Sequence, residues 1–336
     1  MRRLKYMIER ILKLNYRQLF ETVAKLHKKT GLNSIWLFFD IVYCGLRYGA
    51  GYKDYSLCEF YNLTKAQRET YVTRGVNNRI VQLMNQKDYF HLMDNKCEFN
   101  ELFASYIHRG WLNMETATDE EFVAFMENRD RIITKPMDDT CGRGVEILHK
   151  ADFPDLASLR QRLRELNSGL IEDVIIQHPE VSRLYPHAVN TYRIVTIFAE
   201  GKANVVYAFI RMGNGGRAVD NINAGGMAAP IDLETGIIQY PAFDKDSNYF
   251  DTHPATGCPI VGYALPYWQE SIAMCLEAAA VVPQIGYAGW DIAVSKDGPQ
   301  LIEGNPFPGH DILQMPPHVP DKIGMLPRFR LFVKGL

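Results

Sequence analysis

At 336 residues, 47% of them hydrophobic, the chain can bury a large core and form two or three packed units rather than one. A formal net charge of -2 gives no support to a nucleic-acid or generally acidic partner. Six cysteines without a Cys-x-x-Cys pair, and no histidine cluster at zinc spacing, argue against a disulfide framework or structural zinc and fit a cytoplasmic address.

The charge is unevenly spread. Residues 1–30 hold nine basic side chains against Glu9 and Glu21, a local balance of +7 that leaves the remainder net acidic. Leu4, Ile8, Ile11, Leu12, Leu19, Val23 and Leu26 recur there at helical spacing, with the basic residues mostly opposite, which predicts an amphipathic helix or pair of helices. Two readings stay open: the solvated face of a docked helix, and weak electrostatic contact with the inner face of a membrane. The most apolar run, 35–46, is too short to cross a bilayer and contains Asp40, and the basic start does not lead into a secretory leader pattern. Residues 34–108 continue helically, with a capped start at Thr64-Lys65-Ala66-Gln67, so residues 1–110 are expected to form a helical N-terminal region.

From residue 118 the texture changes. Thr118-Asp119-Glu120-Glu121 reads as a capping box, and residues 131–136 as a strand. Further strands are predicted over 144–148, 173–177, 192–199 and 204–211, with helices over 156–166 and from 265 towards 282. Strands and helices mixed in this way predict an α+β arrangement with antiparallel sheets. Near the carboxyl end, a Lys-Asp-Gly-Pro turn joins two apolar runs as a hairpin. Pairing Ser295 with Pro299 sets Asp291 opposite Glu303 to within a residue, and Asn305 shares Glu303's face. Two carboxylates and an amide oxygen then converge as hard ligands suited to Mg2+; an exposed hairpin with solvated charges is the alternative.

Other residues have the chemistry to handle a nucleotide. Lys135 ends an apolar strand, and the Gly142-Arg143-Gly144 turn that follows is either an ordinary hairpin or a place where backbone N–H groups approach a phosphate. No Gly-x-x-x-x-Gly-Lys-Ser/Thr loop occurs. Arg193 and Arg211 put guanidinium groups on apolar strands, where each is either paired to an internal acid or open to an anionic ligand. Asn223-Ala224-Gly225-Gly226 reads as a tight turn presenting backbone donors, or as a plain loop; His310 is either a surface histidine or a catalytic one.

Taken in order, Lys135, the glycine loop, Arg193, Arg211, Asn223 with Gly225-Gly226, then Asp291, Glu303 and Asn305 resemble the ATP-grasp superfamily. More narrowly, Tyr48-Gly49-Ala50, Asp54-Tyr55 and Asp94-Asn95-Lys96 look like the sugar-transfer-associated ATP-grasp group, and the likeness covers roughly residues 40–330. The resemblance implies two α+β lobes sandwiching ATP, over residues 111–185 and 186–336, behind the helical region. It implies that Lys96 and Lys135 contact adenine or phosphates, that the loop from Thr140 to Val145, with Gly142, Arg143 and Gly144, covers the phosphates, that the strand ending at Gln177 meets the adenine edge, and that Glu180 binds ribose. The stretch Ile176-Gln177-His178-Pro179-Glu180 departs from the family, whose members commonly carry an acidic residue near this connection. Metal ions, Mg2+ or Mn2+, fall to Asp291, Glu303 and Asn305, and catalysis to Arg193, Arg211 and Asn223. The implied activity is a carboxylate–amine or carboxylate–thiol ligase forming an acyl phosphate, on a sugar-linked or peptide substrate in surface-polysaccharide assembly. A kinase acting on a hydroxyl and a non-catalytic nucleotide-binding scaffold are the competing readings.

Overall fold

The computed structural model describes residues 15–136, 144–215, 220, 222 and 225–336. The chain divides into two units, one running up to Leu83 and resuming at Gly309–Leu336, the other Met84–Pro308. The first unit is helical. Its helices Tyr16–Thr30 and Ser34–Arg47 are each opened by an asparagine whose side chain accepts from free N–H groups of the first turn, Asn15 and Asn33. Leu19, Val23 and Leu26 from one, and Leu37, Ile41 and Cys44 from the other, build its core with Tyr55 and Phe60. The apolar positions expected at Leu4, Ile8, Ile11 and Leu12 lie outside the described residues; those at Leu19, Val23 and Leu26 are buried.

The second unit carries two antiparallel sheets. The smaller joins β1 (Trp111–Asn113), β2 (Arg131–Pro136), β3 (Glu146–His149) and β4 (Ser168–Glu172) in the order β1-β4-β2-β3. Helices Asp119–Met126 and Leu156–Glu165 cover it through Phe122, Met126, Leu159 and Leu163. The larger runs β11-β10-β5-β6-β7-β8-β9, from β5 (Thr191–Ala199), β6 (Lys202–Met212), β7 (Met227–Pro230), β8 (Ala242–Asp244), β9 (Tyr249–Phe250), β10 (Tyr287–Ser295) and β11 (Gly298–Asn305). Its apolar face, with Tyr192, Ile194, Trp290, Ile292 and Leu301, packs on helix Trp268–Val281. The opposite face holds the charged side chains.

One strand differs from expectation. β4 occupies 168–172, not 173–177, because Gly169 to Ile171 supply the run that pairs between β1 and β2, and residues 173–176 lead out of the sheet. Gln177 meets the larger sheet through an isolated bridge to Ser295.

Candidate active site

The hairpin of β10 and β11 begins at its turn with Ser295 opposite Gly298, one residue away from the expected pairing. A bulge follows, in which Asp291 pairs with Glu303 while Ile292 pairs with Leu301, leaving Ile302 as the extra residue. The bulge keeps Ile292 and Leu301 on the core face and Asp291 and Glu303 on the other. β5 lies beside β10 with Arg193 opposite Asp291, and β6 beside β5 with Arg211 opposite Thr191.

Adjacent strands therefore bring the four charged side chains together. Arg193 grips both oxygens of Asp291, through Nε to Oδ1 and through a terminal nitrogen 2.7 Å from Oδ2. Arg211 donates to Asp291 Oδ2 at 2.5 Å and to Thr191 Oγ1 at 3.0 Å, and lies 3.4 Å from Asp220. Both strand arginines are thus paired to an internal acid. Burial opposes the charge on Asp291, but Arg193 and Arg211 outweigh it and hold the carboxyl well below the usual carboxylate range. For Glu303, enclosure by neighbouring chain, then the Asp291 charge and a hydrogen bond to it, push the carboxyl up to about 7. Because 49% of that side chain is open to solvent, the Asp291 charge contributes more to this rise than enclosure does.

Asn305 continues Glu303's face, and its Oδ1 accepts from Phe307 N at 2.8 Å, which fixes the amide in the turn leaving β11. Buried Asn85 bonds the Pro306 carbonyl at 2.7 Å and both backbone groups of Tyr287, tying that turn to the start of β10. Gly304, between the two candidate ligands, has a packing reason: a Cβ there would sit 2.3 Å from Met93 Sδ and 2.9 Å from the Phe99 ring. Among the described residues no group of three or more His, Cys, Asp or Glu side chains is arranged to hold a metal. Two carboxylates with an amide are instead the kind of partial set that suits Mg2+, which takes few protein ligands and completes its shell with water and phosphate oxygens.

On the smaller sheet Lys135 donates to Glu172 at 2.5 Å. Glu172 is buried and also accepts from Arg109 at 2.8 Å and Asn100 at 3.0 Å. Burial works against its charge, but Lys135 and Arg109 outweigh that and hold its carboxyl down to about 2. Arg109 also reaches the Leu301 carbonyl at 2.6 Å, in the bulge of β11. One buried guanidinium thus joins the acid that holds Lys135 to the strand that carries Glu303; its Nε is buried without a hydrogen-bond partner. Lys96 donates to the Pro136 carbonyl at 2.9 Å, beside Lys135.

Other candidates fall as follows. Thr140, Gly142, Arg143 and Asn223 lie outside the described residues. Gly144 has φ +66, a conformation suited to glycine, and a Cβ on it would come within 2.6 Å of the Pro136 ring. The Gln177 amide is engaged locally, donating to the Tyr185 and Ala188 carbonyls and accepting from Asn190. Glu180 stands in the first turn of helix Pro179–Leu184, ion-paired to Arg183 at 2.8 Å and bonded by the Tyr263 hydroxyl. His310 is buried rather than superficial, with Nε2 3.1 Å from Asp54 Oδ1. Arg109, Glu172, Asn100 and Asp220 had not been singled out from sequence; a lone acid in Gly-Leu-Ile-Glu, on a strand beside the lysine strand, is the signal that could have found Glu172.

Residues 67–328 match the family described as sugar-transfer associated ATP-grasp, more than half of the chain. No curated protein matches the sequence. Among solved structures, an N5-carboxyaminoimidazole ribonucleotide synthetase in complex with ADP is similar at 10% identity and TM-score 0.40, over 65% of this chain and 46% of its own. An L-amino acid ligase from Bacillus licheniformis is similar at 13% identity and TM-score 0.42, over 73% and 49%. For a D-alanine–D-alanine ligase from Bacillus anthracis the values are 14%, 0.41, 76% and 73%. The chain thus spans about half the length of the first two. On the strength of the family match over residues 67–328, this chain belongs to the sugar-transfer associated ATP-grasp family, with an ATP-grasp fold behind a helical N-terminal region.

Proposed function

We propose that the chain is an ATP-dependent carboxylate–amine, or carboxylate–thiol, ligase acting through an acyl phosphate, on a sugar-linked or peptide acid in surface-polysaccharide assembly. The observation that carries the reading is the in-register pair Asp291 and Glu303 beside Arg193 and Arg211. Arg193 and Arg211 already compensate Asp291, while its charge still raises the neighbouring Glu303 carboxyl, and a divalent cation between the two acids would offset that remaining repulsion. Asp291, Glu303 and Asn305 would hold Mg2+ or Mn2+, which supplies charge neutralisation at the terminal phosphates of ATP.

The remaining work falls to the chain's own groups. Lys135, aimed by Glu172, and Lys96 would contact the nucleotide; the loop Thr140 to Gly144 would cover the phosphates, and Gln177 and Glu180 would border adenine and ribose. Arg193 and Arg211 would stabilise negative charge as the substrate carboxylate attacks the γ-phosphate and ADP leaves. Asn223 and its turn would orient the acyl phosphate for the amine, whose attack expels inorganic phosphate. No protein nucleophile is required. The same reading places the chain in the cytoplasm, with peripheral contact at the inner face of the membrane through residues 1–30.

The test is turnover with ATP, Mg2+ and a panel of acids in the presence of hydroxylamine. An ATP-dependent hydroxamate, with ADP and phosphate released, is the expected result. A stable phosphoester with no hydroxamate would replace the ligase by a kinase, and absence of ATP turnover over a wide panel would favour the scaffold.

A further inference from the structure

Helix Ser34–Arg47 breaks the usual pattern of a surface helix. Its inner face, Leu37, Ile41 and Cys44, is buried as expected. Its outer face is also apolar: Ile35 is 69% exposed, Phe39 65%, Trp36 45% and Tyr43 42%. The helix has two charged residues, and Asp40 is turned onto Arg68 at 2.7 Å, leaving Arg47 at the C-terminal end. A helix apolar on all sides is ordinarily enclosed. The patch extends onto helix Tyr16–Thr30, where Phe20 is 58% exposed and stacks on Phe38 at 5.6 Å, while Phe38 meets Phe39 edge-on at 5.5 Å. Six of the sixteen large apolar side chains most open to solvent among the described residues fall between Tyr16 and Tyr43, so this is a concentration and not scatter.

The charge around the patch selects its occupant. Helix Tyr16–Thr30 carries Arg17, Lys25, Lys28 and Lys29; Arg17 pairs with Glu21 and Lys29 with Glu59, so Lys25 and Lys28 are its surplus positive charge, in a chain that is net acidic after residue 30. A second copy laid on this face would bring the surplus lysines of one helix against those of the other, which costs association. An anionic lipid surface complements it, with lysine and arginine at the headgroups and Trp, Tyr and Phe rings at the level of the acyl boundary. No described helix is long and apolar enough to cross a membrane.

We infer that the outer face of helix Ser34–Arg47, with Phe20, is a membrane-docking surface on which Ile35, Trp36 and Phe39 enter an anionic bilayer and the basic side chains of helix Tyr16–Thr30 hold the headgroups. This deepens the peripheral contact expected of residues 1–30 by moving its apolar part to the second helix, and it is independent of the ligase chemistry.

The experiment is co-sedimentation of the full chain with vesicles of phosphatidylglycerol and phosphatidylethanolamine, against vesicles of phosphatidylcholine alone, with sedimentation velocity on the lipid-free protein. Wild type is expected to bind the anionic vesicles preferentially. The double variant Trp36→Ser, Phe39→Ser should lose at least about tenfold in partition, because each buried side chain of this size is worth more than a decade in affinity. Leu331→Ser, an equally open apolar site elsewhere, should bind as wild type. An unchanged melting temperature shows that the double variant is folded; should it be lowered, Ile35→Ser and Phe39→Ser are measured singly. The inference is overturned by absence of binding to anionic vesicles, by folded variants that bind as wild type, or by a wild-type dimer that the double variant dissociates, which would assign the face to a second copy. Hydroxamate formation is unaffected by any of these results, so this inference and the ligase reading fail separately.

Discussion

Replacing Glu172 by Gln keeps the shape of the side chain and removes the one negative charge that Lys135 and Arg109 share. The carboxyl is held from 4.5 down to about 2, which corresponds to on the order of 3 kcal/mol favouring the folded, ionised form. Removing one partner of a buried ion pair costs about 3–5 kcal/mol in general, the same range. Since the folded value lies below the unfolded one, the stabilisation is whole above pH 4.5 and disappears as pH falls towards 2. Urea unfolding followed by tryptophan fluorescence reads this well, since three of the four tryptophans, Trp111, Trp268 and Trp290, lie in Met84–Pro308. Glu172→Gln should unfold at a markedly lower urea midpoint than wild type at pH 7, and the gap should narrow at pH 3. Equal midpoints at pH 7, or a gap that does not close in acid, would refute the charge argument. A nucleotide-binding readout separates the second consequence: ATP affinity should fall as well, because Lys135 loses the acid that aims it.

Arg211→Ala is expected to lower turnover by about two orders of magnitude while leaving ATP affinity within a few-fold, a loss on the order of 3 kcal/mol in barrier if Arg211 acts on transition-state charge; isothermal titration and steady-state kinetics together decide, and full activity in the variant refutes the role. Glu303, pushed up to about 7, is protonated in the folded chain at mildly acid pH and must lose that proton to hold a cation. Metal-dependent turnover should therefore rise with pH at a midpoint above the ordinary carboxylate range, and Glu303→Gln should remove both the rise and most of the activity; an unchanged profile in the variant would exclude this origin. Gly304→Ala introduces a Cβ against Met93 and Phe99, and overpacking of this kind costs about 1–3 kcal/mol, readable as a lowered urea midpoint.

Much of this arrangement could be read along the chain, for identifiable reasons. Lys135 was legible because it closes an apolar strand, and Asp291 with Glu303 because a two-residue side-chain period and a short turn dictate who faces whom. The turn pairing was one residue off, since nothing in Gln300-Leu301-Ile302 announces a bulge; only the need to keep both Leu301 and Ile292 on the core face creates it. For Arg193 and Arg211, sequence left two states open, and the choice needed β5 and β6 alongside β10, a contact made across about eighty to one hundred residues of chain. Arg109 was invisible for the same reason, as its partners at 172 and 301 belong to two different sheets. The strand expected over 173–177 lies at 168–172, because the run 173–177 is at least as apolar as 168–172 and local pattern does not rank them.

The extra residue Ile302 has a consequence for how this hairpin can vary. Its two halves, the tip near Asp297 and the end bearing Glu303, are out of phase by one position, so the tip can gain or lose a residue if the offset at 302 shifts to compensate, without the acidic end changing sides. Arg109, anchored on the Leu301 carbonyl, resists such slippage. The hairpin therefore behaves as a slip joint with a pin through it, and a shortened tip should become tolerable only once that pin is withdrawn.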